Sequence, residues 1–256
     1  MGNHEKDGGI DSREVESFFD STANSHKNIN AVLDVSQTKE AVHANVYRDY
    51  FTKKYLYKNI NPQKNDSVLD FGCGVGRVTF FLAPHVKNIS GIDISKNMLE
   101  IANNETRNFT NVSFEHLSGT LIPNQDNSFN KIFSHWVLQH ISDEMLVLYL
   151  KEFYRVLKKG GRIFLFEQTM RKTQSNEKHI YRTEENYMRL IESVTGFKKI
   201  AVKPVMRVPS RGMSLWNKKL FFGKFALPVF CLLDNLTINY KKQFVKYNTT
   251  VFIYEK

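Results

Sequence analysis

Cysteine is scarce in this 256-residue chain, which contains only Cys73 and Cys231. Two cysteines provide neither a disulfide framework nor a zinc pattern, so we expect no metal site and a reducing, cytoplasmic setting. Long apolar runs are also missing, and none approaches the ~20 residues that span a bilayer. Residues 1–10 lack the apolar region of a secretory signal, and Lys6 stands where a myristoylation signal requires Ser or Thr.

Acidic residues are few in the C-terminal part of the chain. Residues 1–150 contain 14 basic and 18 acidic residues, a net charge of −4, whereas residues 151–256 contain 22 and 8, a net charge of +14. This asymmetry indicates either a basic face for an anionic partner, such as acidic lipid, phosphorylated substrate or nucleic acid, or an ordinary solvated surface.

The chain divides into four regions by pattern, within one domain. Residues 1 to about 25 are polar and predicted to be frayed, and helical spacing from about Asn30 to Ile60 predicts one or two helices before the core. We interpret 1–60 as an N-terminal helical cover, 61–205 as the core, 206–246 as an insert and 247–256 as the last strand. By analogy of fold, Tyr47, Arg48 and Tyr50 are expected to form one wall of the pocket.

Short β-rich runs alternate with helical stretches after residue 66, which predicts a parallel sheet covered by helices. Ser95 and Ser142 are predicted helix N-caps, and the helix after Ser142 is expected to hold Lys158 and Lys159 in its last turn. A further helix is predicted to start at Thr183. The predicted strands are 68–71, 89–94, 112–116, 131–134, 162–167, 198–205 and 249–254.

The insert 206–246 is rich in bulky apolar and basic residues. It is interpreted either as a substrate cover or amphipathic surface on anionic membrane, or as an extra helical pair packed on the sheet edge or in a dimer contact.

The strongest local signal is the run from Val68 to Arg77, in which a buried strand leads into a G-x-G-x-G turn. Glycines allow a backbone to approach a ligand closely, but a dinucleotide fingerprint requires Gly or Ala where Arg77 stands. Asp70 ends the first strand and suits a ligand with an ammonium group. Asp93 ends the second strand, 21 residues after Gly72, at a spacing typical of a carboxylate that binds ribose hydroxyls.

These residues resemble successive motifs of the class I S-adenosylmethionine (SAM)-dependent methyltransferases. The motifs are Asp70–Gly76, Gly91–Ser95 with Met98-Leu99-Glu100, Asp126–Phe129 and Arg155–Gly161. The resemblance covers about residues 64–170. It implies a doubly wound, Rossmann-like, seven-stranded, mostly parallel sheet with one antiparallel strand near its edge, and SAM as cofactor.

The resemblance also implies positions for the cofactor. Asp70, Gly72 and Gly74 would line its methionine side, Asp93 would bind the ribose, and Ile94 and Met98 would contact the adenine, although Met98 is equally explained as a core residue. Relatives often carry an acidic residue after the third strand, where this chain has Ser118 and Gly119. The full set of expected cofactor contacts is Asp70, Gly72, Cys73, Gly74, Arg77, Asp93, Ile94, Met98, Ser118, Gly119 and Ser134.

Side chains just past the fourth strand are best placed to reach a methyl acceptor. His140 is the first candidate for a general base and His135 the second, while His140 is also explained as a packing residue that caps the turn. Trp136 either walls the pocket or lies in the core. Glu167, at the end of the fifth strand, is expected to point toward the acceptor.

No Asn-Pro-Pro-Tyr-type motif or paired cysteine nucleophile is visible, which disfavours methylation of nucleobase amino groups and of pyrimidine carbon 5. The sequence favours an oxygen atom of a small-molecule, glycan or lipid-linked acceptor, with a cytoplasmic enzyme in possible peripheral contact with anionic membrane. Two alternatives stay open: an RNA methyltransferase that uses the basic C-terminal part, and a non-catalytic scaffold protein with the same fold.

Overall fold

The computed structural model describes residues 12–25, 39–176, 178–208, 227–237 and 247–256. Its helices are α1 (Ser12–Ser25), α2 (Lys39–Ile60), α3 (Arg77–Leu82), α4 (Lys96–Glu105), α5 (Asp143–Val156), α6 (Glu184–Glu192) and α7 (Leu227–Thr237). Its strands are β1 (Ser67–Phe71), β2 (Asn88–Asp93), β3 (Val112–His116), β4 (Phe129–His135), β5 (Leu157–Thr169), β6 (Gln174–Ser175), β7 (Ile180–Tyr181), β8 (Lys198–Val208) and β9 (Tyr247–Glu255).

Seven strands form one sheet in the order β3-β2-β1-β4-β5-β9-β8. The first five are parallel, and β9 runs antiparallel to β5 and β8. This is the predicted mostly parallel sheet with an antiparallel strand near its edge. The strand order changes direction at β1, which has β2 on one side and β4 on the other. The crevice at the carboxyl ends of these strands is where such folds bind ligands.

Helices cover both faces of the sheet because side chains of each strand alternate between two cores. Val68 of β1 joins a core with α2, α3 and α7, whereas Leu69 and Phe71 join a core with α5 and α6. Burial on both faces explains the nearly continuous apolar sequence of the central strands.

Both predicted N-caps, Ser95 and Ser142, are confirmed, and Thr183 caps the helix that was predicted to start there. The hydroxyls of Ser95, Ser142 and Thr183 accept hydrogen bonds from backbone N–H groups three residues ahead, at the starts of α4, α5 and α6. These caps satisfy donors that a helix leaves unpaired at its first turn. They also fix where the loops after β2 and β4 end, beside the crevice.

Two predictions of local structure are wrong. Residues 12–25, expected to be frayed, form α1, whose apolar side chains pack near the start of α4. The helix after Ser142 ends at Val156, so Lys158 and Lys159 lie in β5 rather than in its last turn. Leu157 already pairs with Phe129 of β4, and this strand pairing ends the helix before the two lysines.

The insert lies mostly outside the described residues, which omit 209–226 and 238–246. Its described part comprises the end of β8 and the helix α7. Leu227 and Phe230 of α7 join the core, and Asp234 accepts a hydrogen bond from the buried Tyr47 hydroxyl. None of the helices in the described ranges is both long and apolar enough to cross a membrane.

Candidate functional site

A cavity of about 230 Å³ opens at the carboxyl ends of β1, β2 and β4. Ten of the predicted site residues border it, together with side chains from α1 and from the turn after β4. Those ten are Asp70, Gly72, Cys73, Gly74, Arg77, Asp93, Ile94, Met98, His135 and His140. Residues far apart in the sequence therefore meet at the crevice that the strand order creates.

The glycine-rich turn after β1 needs backbone conformations that other residues rarely adopt. Gly72 and Gly76 have φ angles of 75° and 76°. A Cβ on Gly72 would also lie only 2.4 Å from a methyl carbon of Val137, across the cavity wall. The turn thus combines a left-handed backbone with close packing, and both require glycine.

Asp93 fastens this turn to the end of β2. Its carboxylate accepts hydrogen bonds from the N–H of Gly74 at 2.7 Å and of Ser95 at 2.9 Å. Burial raises the pKa of Asp93, although these two N–H groups oppose the rise. Each carboxylate oxygen retains a further lone pair, so the group can also accept hydroxyls of a bound ribose.

Asp70 is buried at the end of β1, where the Thr79 hydroxyl donates to its carboxylate at 2.6 Å. Burial raises the pKa of Asp70 to about 7. A carboxyl group with this pKa gains from a cationic ligand, because a positive charge beside it favours the ionised form.

Arg77 borders the cavity but is engaged by α2. Its guanidinium donates to the Asp49 carboxylate at 2.6 Å, and Asp49 also binds Lys53 at 2.8 Å. The predicted cofactor residue therefore joins α2 to the glycine-rich turn. Sequence reasoning missed Asp49, which is 28 residues away from Arg77 in the chain.

Three expected cofactor residues do not border the cavity. Ser134 lies between Phe133 and His135, and strand alternation turns its hydroxyl away to the Glu167 carboxylate at 3.2 Å. Ser118 and Gly119 are exposed just past β3. Leu117 borders the cavity in their place, because its N–H donates to the Asp93 carbonyl oxygen and holds its side chain inward.

His140 borders the cavity at the end of a short 3₁₀ turn, Leu138–His140. Its Nδ1 lies 2.8 Å from the Lys178 carbonyl oxygen, and its Nε2 lies 3.3 Å from the Gln139 side-chain nitrogen. A carbonyl oxygen only accepts, so Nδ1 carries the proton and Nε2 is an acceptor. Burial lowers the pKa of His140 to about 4, which keeps the ring neutral near pH 7.

Two buried ionic groups hold the turn that carries His140. Arg182 donates to the carbonyl oxygens of Leu138 at 2.8 Å and Ile141 at 2.5 Å. On the other side, one Glu167 oxygen accepts from the N–H of Val137 at 3.3 Å, and burial raises the pKa of Glu167 to about 7. Glu167 therefore holds the turn through the Val137 N–H and does not border the cavity. The prediction that it points toward the acceptor is wrong.

His135 and Trp136 form a rigid part of the wall. Their rings stack with centroids 4.7 Å apart, and Trp136 is held in a left-handed conformation (φ 60°) by hydrogen bonds to Phe166 and Thr249. The Tyr55 hydroxyl of α2 is hydrogen-bonded to His135 Nε2. Trp136 thus borders the cavity and also packs against the core.

Helix α1 provides the wall that was expected from α2. Val15 and Phe19 border the cavity, whereas Tyr47 is buried and bound to Asp234. The Asp20 carboxylate accepts from the Ser95 hydroxyl at 2.5 Å and from the Asn97 N–H at 3.3 Å, which docks α1 at the start of α4. A helical spacing of residues 15, 18, 19, 22 and 23 was the signal that sequence reasoning missed.

These residues fit SAM. The ligand would bring a sulfonium and an ammonium charge to a cavity bordered by the carboxylates Asp70 and Asp93, whose cationic neighbour Arg77 is already paired with Asp49. The turn from Gly72 to Gly74 borders the cavity with backbone that carries few side-chain atoms, so a ligand can approach it closely. Ile94, Met98 and Leu117 would supply an apolar surface for an adenine ring.

Comparisons with known proteins agree with this geometry. A family model described as a methyltransferase domain matches residues 62–220. Demethylmenaquinone methyltransferase of Staphylococcus epidermidis is 29% identical over 171 residues, which are 66% of this chain and 65% of that protein.

Two solved structures share the fold. The geranyl diphosphate C-methyltransferase of Streptomyces coelicolor aligns with a TM-score of 0.65 and 13% identity, over 95% of this chain and 96% of that one. Phosphoethanolamine N-methyltransferase 1 of Haemonchus contortus also aligns with a TM-score of 0.65, at 16% identity, over 95% of this chain and 49% of that one. Since the family model covers more than half of the sequence and the sheet has the expected seven strands with one antiparallel strand near its edge, the chain belongs to the methyltransferase domain family, within the class I fold that uses SAM.

Proposed function

We propose that this protein transfers a methyl group from SAM to an oxygen atom of an apolar, hydroxyl-bearing small molecule. The observation that carries the proposal is the position of His140, which borders the same cavity as Asp70 and Asp93 and has an unprotonated Nε2. The remaining wall is largely apolar or aromatic, with Phe19, Phe133 and Trp136 among its members. Such a wall favours a flat apolar acceptor over a strongly polar glycan.

The reaction needs little chemistry from the protein. When bound, SAM would supply an electrophilic methyl group to the acceptor oxygen, and its sulfur would keep the electron pair of the broken S–C bond. His140 Nε2 takes the hydroxyl proton, and its Nδ1–H remains bound to the Lys178 carbonyl oxygen. Arg182 and Glu167 hold the turn, so the base is positioned before the acceptor binds.

A radiolabelled methyl-transfer assay tests this proposal with a panel of phenols, hydroquinones, lipid-linked glycans and RNA. We expect transfer to phenolic or hydroquinone acceptors, and we expect His140→Gln to lower kcat about 10²- to 10⁴-fold because general-base catalysis contributes that factor. Affinity for S-adenosylhomocysteine (SAH) should stay within about two-fold, since the lost group serves the acceptor. A His140→Gln enzyme with unchanged kcat would remove His140 from the mechanism.

The product of the same assay distinguishes oxygen from carbon methylation. The name of the Staphylococcus epidermidis relative points to demethylmenaquinone as that protein's substrate, which favours a quinone-related acceptor as the second candidate here. Mass spectrometry of the product fragments shows whether the new methyl group is on oxygen, as we expect, or on a ring carbon, which is the alternative outcome. Binding of SAH without transfer to any acceptor would support the scaffold alternative, and salt-sensitive RNA binding would support the RNA alternative.

We also propose that α7 rests on an anionic membrane surface, from which an apolar acceptor would enter. Val229, Leu232, Leu233 and Leu236 follow helical spacing and are 38–70% exposed. The stretch 206–246 contains eight Lys or Arg residues, whereas its one acidic residue, Asp234, is buried. An outward apolar stripe beside basic sequence is typical of a helix at a membrane interface.

Vesicle sedimentation tests this surface. We expect binding to vesicles of phosphatidylglycerol and phosphatidylcholine, weak binding to phosphatidylcholine alone, and loss of binding in Leu232→Asp/Leu236→Asp. The matched control Leu121→Asp changes an exposed leucine elsewhere and should bind normally. If the double variant sediments with vesicles as much as the wild type does, a membrane role is contradicted. A membrane role is also contradicted if the wild type and Leu121→Asp are dimers and the double variant is not.

A further inference from the structure

The two histidines of the cavity are held through different ring nitrogens. In His140, Nδ1 donates to the Lys178 carbonyl oxygen, and Nε2 is an acceptor 3.3 Å from the Gln139 side-chain nitrogen. His135 is held through Nε2 by the Tyr55 hydroxyl, so the nitrogen left for a ligand is Nδ1. Within the described part of the chain, no hydrogen bond engages His135 Nδ1.

The proton positions of the Tyr55–His135 pair follow from the surroundings. Burial raises the pKa of Tyr55, so the phenol keeps its proton, and burial together with Arg77 lowers the pKa of His135, so the ring is neutral. Tyr55 is buried, and within the described part of the chain the hydrogen-bond partner of its hydroxyl is His135 Nε2. A buried O–H group needs an acceptor, so the phenol proton goes to His135 Nε2, and the single ring proton of His135 lies on Nδ1.

His135 would then present an N–H group, whereas the Nε2 of His140 carries no proton. The stack on Trp136 keeps the ring in place, and Trp136 is itself fixed by two hydrogen bonds. A fixed N–H group in an apolar wall is a binding site for an oxygen atom that accepts.

We propose that Tyr55 holds His135 as a hydrogen-bond donor, and that the acceptor carries a second oxygen, besides its reacting hydroxyl, which accepts from His135 Nδ1. This inference rests on the proposed function, because it assigns the methyl acceptor to the same cavity. Tyr55 is a positioning residue, since it reaches the ligand only through His135. The substrate class is thereby narrowed to flat, apolar molecules with two oxygen functions.

Paired probes test the donor role without turnover. Isothermal titration in the presence of saturating SAH compares methoxy-1-naphthols with the ethyl-1-naphthols of matching position, which differ only in an ether oxygen replaced by a methylene. Because a methoxy oxygen accepts and never donates, a preference for it identifies a protein donor. We expect at least one ring position to favour methoxy about five-fold, the factor that corresponds to a hydrogen bond of about 1 kcal/mol.

Two variants connect this preference to the residues. His135→Phe removes the donor and Tyr55→Phe removes only the hydroxyl that fixes it, so both should bring the methoxy-to-ethyl ratio close to one. Affinity for SAH and the melting temperature report whether each variant still folds and binds cofactor. A matched control, Tyr57→Phe, removes a phenol hydroxyl from a side chain of α2 that is 39% exposed and does not border the cavity, and it should retain the preference.

A nitrogen NMR measurement on the free protein reads the tautomer directly. Long-range ¹⁵N–¹H correlations of the His135 ring should show Nδ1 protonated and Nε2 bare in the wild type, and a changed pattern in Tyr55→Phe. A proton on His135 Nε2 would overturn the inference. So would a ratio near one at every ring position, a preference that survives in both variants, or failure of all the naphthols to bind.

These results stay distinct from failure of the proposed function. If the proposed function fails, SAH does not bind or no acceptor is methylated. If only the inference fails, SAH binds and methyl transfer occurs, but the protein shows no preference for methoxy over ethyl, or the ring proton of His135 is on Nε2.

Discussion

Replacement of Gly72 by alanine tests whether the turn after β1 needs glycine for packing as well as for its backbone conformation. Gly72 has φ 75°, and a Cβ there would lie 2.4 Å and 2.7 Å from the two methyl carbons of Val137. Gly160 has nearly the same φ, 73°, but a Cβ there would meet no atom within 4 Å. Gly160→Ala is therefore a matched control that shares the strain and lacks the clash.

The expected magnitudes differ for this reason. A left-handed alanine costs about 1 kcal/mol at either position. The overlap with Val137 forces the side chain or the backbone to move, which costs about a further 1–3 kcal/mol. We expect Gly160→Ala to lower the free energy of unfolding by about 1 kcal/mol and Gly72→Ala by about 2–4 kcal/mol.

Urea unfolding measures both values, and titration with SAH measures the effect on the site. Gly72→Ala should weaken SAH binding at least about ten-fold, because Val137 borders the cavity and its N–H is bound by Glu167. Gly160→Ala should bind SAH normally. Equal unfolding midpoints for the two variants, or normal SAH affinity in Gly72→Ala, would refute the reasoning.

Two further predictions concern charges around the cavity. Asp20→Ala should speed SAH dissociation about five- to ten-fold in stopped-flow experiments, because it removes the hydrogen bonds that dock α1 on Ser95 and Asn97. The control is Glu14→Ala, which changes an exposed acidic residue on the same helix. An unchanged dissociation rate in Asp20→Ala would contradict a covering role for α1. Glu167 has a folded-state pKa of about 7 against an ordinary value near 4.5, so the stability linked to its protonated form is complete below about pH 4.5 and is lost as pH rises through 7. Glu167→Gln should therefore reduce the change in the free energy of unfolding between pH 5 and 8 by up to about 3 kcal/mol, while the pH dependence due to Asp70 is retained. Thermal unfolding across this pH range measures the change. A pH dependence equal to that of the wild type would contradict the raised pKa of Glu167.

The sequence predicted the sheet because its signals are local. Short apolar strands, the glycine-rich turn and the N-caps Ser95, Ser142 and Thr183 each depend on neighbours within a few residues. The end of α5 was missed because Lys158 and Lys159 suit a helix terminus equally well. The end of α5 is set by the pairing of Leu157 with Phe129, two residues that are far apart in the sequence.

The site was predicted in part for the same reason. Asp70, Asp93 and the glycines belong to short motifs, whereas Tyr55 and His135 are 80 residues apart and meet only through the topology. Ser134 was expected to contact the cofactor, but the two-residue alternation of its strand turns its hydroxyl toward Glu167. Helix α1 was missed because its polar composition hid the helical spacing of Val15, Phe19 and their neighbours.

The central claim is that this cavity binds SAM through Asp93. Calorimetric titration with SAH of the wild type, of Asp93→Ala and of the exposed-carboxylate control Glu115→Ala tests it most directly. We predict micromolar binding by the wild type and Glu115→Ala and a loss of at least about 100-fold in Asp93→Ala, which removes the proposed ribose partner and the acceptor of the Gly74 N–H together. Absence of binding by the wild type, or unchanged affinity in Asp93→Ala, would contradict the account.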